Sequence, residues 1–264
     1  MPPRYEVLYQ HGGERSFGRA REMLCPYYET NGGLCTVWPM REAVCSMYYC
    51  KHDRGADGAE FWSALKAYLV ELRNGLMAHV LLELDFAPER VFAGESQPLG
   101  AEGIDGTQPL ARQEQALWGE WLGRERELFS RAHDIVSGLD EAALLEVGGV
   151  RLRARLASLE NAYPAAFQPT LPPLLRRNPA LVVRPEADGR LTLEGYSAMD
   201  PSRVRETVYR VLDAFDGRRS HEQARAWLRE RGQPTPSDAL LLSFYHHRLL
   251  LGPDPTHGVP PKDA

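Results

Sequence analysis

Lysine is almost missing from this 264-residue chain: Lys51, Lys66 and Lys262 are the only three among 31 basic residues. Arginine supplies the rest, and 36 acidic residues outweigh both, for a net charge of −5. That balance provides no global positive field, which argues against nucleic acid as a partner. Long apolar runs are missing too. The most apolar stretches, such as Ala78 to Leu82, fall far short of the ~18 residues a membrane-crossing helix needs. No basic segment followed by an apolar one opens the sequence, so no secretory signal is expected, and the expected location is the cytoplasm, away from membranes. The common catalytic signatures are also lacking. There is no G-x-S-x-G, no H-E-x-x-H, no P-loop, no G-x-G-x-x-G and no C-x3-C-x2-C. These absences leave open whether the chain is an enzyme.

Cysteine is the scarcity that informs. The chain has four, all within the 26 residues from Cys25 to Cys50, spaced C-x9-C-x9-C-x4-C. In a reducing compartment clustered cysteines point to metal rather than to disulfides. Cys25, Cys35, Cys45 and Cys50 make a complete ligand set for a tetrahedral zinc or a four-cysteine iron–sulfur cluster. Bound metal also explains how four thiols can stand together as thiolates at neutral pH. Pro26, Asn31-Gly32-Gly33, Pro39 and a short turn near Arg41 place a chain reversal beside each cysteine, as a knot around one centre requires. The C-x2-C knuckles common in structural zinc sites are absent, and Tyr27, Tyr28, Trp38, Tyr48 and Tyr49 accompany the ligands. Both features favour a partly buried [4Fe–4S] cluster over Zn2+, which stays the alternative. Arg41 and His52 are the candidate second-layer groups, able to donate to sulfur or to a bound anion.

The run G-G-L-C-T-V-W-P-M-R-E-A-V-C-S-M-Y-Y-C resembles the core of the YkgJ-type proteins, a family described as zinc- or iron-chelating or iron–sulfur-cluster-containing. Gly33, Cys35, Val37, Trp38, Arg41, Cys45, Tyr48 or Tyr49 and Cys50 take the places of that pattern, and Cys25 matches the cysteine upstream of the loop. Glu42 stands where the family usually has proline, and the family's further upstream cysteines are absent. The resemblance covers residues 24–52 and implies metal binding by the four cysteines, with no settled reaction.

The rest of the chain patterns as mainly helical, of α+β class: the cysteine knot packed on long helices, then a small winged-helix-like domain. Apolar residues from Phe61 to Leu76 recur at three- and four-residue steps and predict a helix from Ala59 to Phe86. Asp57 and its neighbouring glycines mark the loop before it. Further helices are expected at Leu110–Ser137 and, capped by Asp140, at Glu141–Glu160, which Gly148-Gly149 can split. Residues 164–179 carry five prolines and are the expected linker between a domain at 1–163 and one at 180–252, with a disordered tail at 253–264. A hairpin about Asp188-Gly189 and three helices, at 201–215, from Ser220 to Gly232 and from Ser237 onward, compose the second domain. Adjacent His246 and His247 point about 100° apart on a helix, cannot chelate one metal well from there, and are expected at the surface or partly buried. The phrase V-Y-R-V-L-D-A-F-D-G-R-R-S-H-E-Q-A resembles PqqD-like winged-helix domains, which implies peptide binding by strand addition. The rival roles are a zinc-dependent structural or interaction protein and a metal-sensing regulator whose winged helix reads DNA.

Overall fold

The computed structural model describes residues 25, 27–47, 51–86 and 118–253. The start of the helix expected from Leu110, nearly all of the expected disordered tail, and Tyr48, Tyr49 and Cys50 lie outside the described residues. What is described is mixed α+β: long helices and small antiparallel sheets. No described helix is long and apolar enough to cross a membrane. The chain divides into two compact units, one drawn from within Met1–Glu42 and Val70–Arg153, the other from Ala43–Leu69 and Ala154–Ala264.

In the first unit, strands β1 (Tyr28–Glu29) and β2 (Leu34–Cys35) pair antiparallel around the Asn31-Gly32-Gly33 turn, with Tyr28 opposite Cys35. Gly33 takes φ +65°, and its N–H donates to the Glu29 carbonyl at 2.9 Å. A 3-10 turn at Trp38–Met40 follows. The first unit also holds the later half of α2 (Gly55–Glu83), α3 (Glu125–Ser137) and the start of α4 (Glu141–Phe167). Asp140 caps α4, its carboxylate accepting from the Ala143 N–H at 2.9 Å, and Gly149 breaks it with φ 62°. Gly75 faces Gly148 so closely that a Cβ on Gly75 would sit 3.2 Å from the Gly148 Cα, which brings α2 and α4 together here. Phe86, Trp121 and Leu128 form a small core beside Leu81, Leu84 and Trp118.

The second unit is better packed. It begins with the single turn α1 (Ala43–Ser46) and the first half of α2. Helix α4 continues through Pro164 to Phe167, and strand β3 (Leu174–Arg177) follows, both inside the stretch expected to be linker. One sheet has the order β7-β3-β8, with β7 at Asp216–Ser220 and β8 at Leu250–Leu251. The other, β4-β5-β6, holds the expected hairpin, β4 (Val182–Pro185) against β5 (Arg190–Glu194), around the Asp188-Gly189 turn. Its third strand, β6 (Ser202–Arg205), replaces the first turn of the helix expected from 201: Ser202 and Val204 alternate inward, Arg203 and Arg205 outward, and only α5 (Glu206–Val211) is helical. Period-two patterning outweighed helix propensity there. Helix α6 (His221–Glu230) opens on a full capping box between Ser220 and Gln223, and α7 (Asp238–His246) on Ser237. Leu175, Leu193, Leu212, Leu228, Leu241 and Phe244 anchor the core. Leu240, on the same helix as Leu241, is exposed.

Two glycines in this unit sit where only glycine fits. Gly55, at φ +48°, would place a Cβ 2.5 Å from the His246 carbonyl oxygen. Gly195 would place one 2.1 Å from the His247 carbonyl oxygen. The turn after α7 is therefore gripped from two directions by bare backbone. Gly195→Ala is expected to destabilise the second unit by about 1–3 kcal/mol in a urea titration, because backbone and not a flexible side chain must yield. An alanine accepted at no cost contradicts that packing.

Candidate functional site

Among the sequence-predicted ligands, Cys35 lies in β2 and is half-buried, while Cys25 and Cys45 are exposed. None of these three is in a disulfide, and Cys50 is outside the described residues. Among the described residues no three His, Cys, Asp or Glu side chains are grouped as metal ligands. Tyr27, Tyr28 and Trp38 are exposed, so they build no core around the cysteines. The Arg41 guanidinium lies 3.4 Å over the Trp38 ring. The backbone N–H of His52 donates to Asp200 Oδ2 at 3.2 Å, and the Tyr196 hydroxyl donates to the same oxygen. Burial lowers the His52 imidazole below its ordinary value and outweighs the opposing pull of Asp200. Burial, then the Asp200 bond, push the Tyr196 phenol far above its usual range.

The second unit assembles a cluster that the sequence reading did not foresee. Gly55, Asp57 and Gly58 are not a loop: they are the buried first turn of α2. Asp57 is 2% exposed. Its Oδ2 stands 2.6 Å from His246 Nδ1 and its Oδ1 2.6 Å from Arg248 Nη2. An ionised carboxylate only accepts, so His246 carries its proton on Nδ1. His246, expected at the surface or partly buried, is 4% exposed, and its Nε2 is buried with no hydrogen-bond partner among the described residues. Neutral, that nitrogen is an acceptor held in one tautomer by a carboxylate, the setting in which imidazole serves as base or ligand.

Arg248 shows how firmly the cluster is held. Helix α7 ends in a Schellman motif: Leu249 N–H donates to the Phe244 carbonyl at 2.8 Å and Arg248 N–H to the Tyr245 carbonyl at 3.0 Å. The left-handed position of such a motif usually belongs to glycine. Here Arg248 occupies it, at φ 55°. Asn178 fixes the next turn, its Nδ2 donating to the Arg248 carbonyl at 2.7 Å and its own N–H to the Leu249 carbonyl at 3.0 Å. The sequence did carry a signal: H-H-R-L-L-L follows the apolar face of α7 with no glycine to end it.

Comparison with protein-family models, with curated proteins and with solved structures finds no match. Function must therefore be argued from the residues.

Arg248→Gly separates two views of the cluster by sign. If Arg248 were only a helix terminator, glycine would relieve left-handed strain and stabilise the protein by up to about 1 kcal/mol. If it serves Asp57, removal strands a buried carboxylate at a cost of about 3–5 kcal/mol. The expected outcome is net destabilisation, read as a lower urea midpoint for the full chain.

Proposed function

We propose that Cys25, Cys35, Cys45 and Cys50 together hold a metal centre, a [4Fe–4S] cluster in preference to Zn2+, in a structural or redox role. The single observation that carries this reading is the spacing: every cysteine of the chain falls in one 26-residue segment. The donor set fits either centre chemically, since four thiolates complete the shell of both. Bound there, the metal would supply fold stabilisation or one-electron chemistry. The chain's own residues would supply the four sulfurs, with Arg41 and His52 the candidate groups to donate to them. Anaerobically purified protein should carry about four irons and a broad absorption near 400 nm, or one zinc. Cys45→Ser should lower that content sharply. Folded, metal-free protein from iron- and zinc-replete cells would contradict the reading.

Residues 180–252, read as winged-helix-like and PqqD-like, favour a protein or peptide partner over DNA. Two structural features support this. First, arginines of the second unit are spent on nearby acids: Arg177 on Asp213 and Arg203 on Glu186, both at 2.6 Å, and Arg225 on Asp238. Paired arginines offer little net charge to a phosphate backbone. Second, β4 and β6 are the outer strands of their sheet, and an outer strand can template a partner's backbone. The full chain should show no submicromolar, salt-sensitive binding to labelled duplex DNA by anisotropy at low salt; such binding would instead favour the regulator reading.

A further inference from the structure

We propose that the outer edge of β6 takes an extended segment of another protein whose acidic side chains face Arg205. This rests on the protein-partner reading above and adds which edge is used and which charge it selects.

The two outer strands of the β4-β5-β6 sheet are not equivalent. β4 ends in Pro185, which has no N–H to give to an added strand. β6 reads S-R-V-R and contains no proline. Val204 turns inward and is half-buried, while Arg203 and Arg205 are exposed on the opposite face. Arg203 already has its acid: its Nε and Nη2 donate to Glu186 at 2.8 Å and 2.6 Å. Arg205 has no ion pair among the described residues. The register places it directly opposite Arg190 of β5, whose side chain makes a 3.6 Å contact with the exposed Asp188. Like charges opposed across two strands destabilise a sheet. Folding therefore leaves a repulsion that a carboxylate beside Arg205 would relieve. The β6 of a second copy would bring two more arginines to the same edge and add to it. An incoming strand fits when it alternates acidic residues, facing Arg205, with an apolar residue beside Val204. Its backbone supplies the affinity and its charge the selection.

The test uses the full chain and a pair of short labelled peptides, one alternating glutamate with valine, the other lysine with valine, read by anisotropy at low salt. The glutamate peptide should bind about fivefold more tightly than the lysine peptide, and Arg205→Gln should remove that preference. Arg229→Gln, which takes an exposed arginine from α6, should leave it unchanged. Hydrogen exchange at 202–205 should slow when the glutamate peptide is present. The urea midpoint of Arg205→Gln should equal or exceed that of the wild type, since a repulsion is removed; a clear fall would make Arg205 part of the fold and overturn the proposal. Binding of neither peptide, equal binding of both, or equal losses in Arg205→Gln and Arg229→Gln overturns selection at β6 and leaves the protein-partner reading standing. Duplex DNA that displaces the glutamate peptide at submicromolar concentration, in a salt-sensitive way, overturns both.

Discussion

The second unit depends on one carboxylate. Asp57 lies out of water between an imidazole and a guanidinium, and each of the three groups would be costly to bury alone. Hydrogen-bonded as they are, they convert that cost into specificity: few alternative placements of α2 against the end of α7 would satisfy all three. The ion pairs Arg131–Glu127 and Arg210–Glu206 are of a different kind: they join exposed side chains one helical turn apart, where solvent screening leaves them little to contribute.

Around that carboxylate the backbone itself is the packing material. Gly55 and Gly195 bring main chain against main chain at the His246–His247 turn, and Asn178 ties the turn to the start of the β4–β5 hairpin by donating to the Gly195 and Arg248 carbonyls. Such contacts leave little slack. Residues 55–57 meet that turn through backbone at Gly55 and through the His246 and Arg248 side chains at Asp57.

Local signals were legible in the sequence. Ser220 and Ser237 announced the starts of α6 and α7, Asp140 announced α4, Gly149 its break, and Asp188-Gly189 the hairpin turn. Each depends on residues within a few positions of one another. What was not legible depends on distance. Asp57 and His246 are 189 positions apart, and nothing near Asp57 marks it as buried rather than as a loop acid. Proline richness suggested a linker where β3 forms, because the prolines flank the strand and leave Leu174–Arg177 free to pair. Alternation over only four residues hid β6 inside an apparent helix. The cysteine spacing is the least ordinary local pattern in the chain, with every thiol in one 26-residue segment.

A double-mutant cycle between Asp57→Asn and Arg248→Met, read by urea denaturation of the full chain, tests the central claim most directly. If the carboxylate holds the second unit together through its partners, the two substitutions are strongly non-additive, with a coupling energy of about 1–3 kcal/mol. A coupling near zero would mean that α2 and the end of α7 are neighbours without being joined, and would contradict the account.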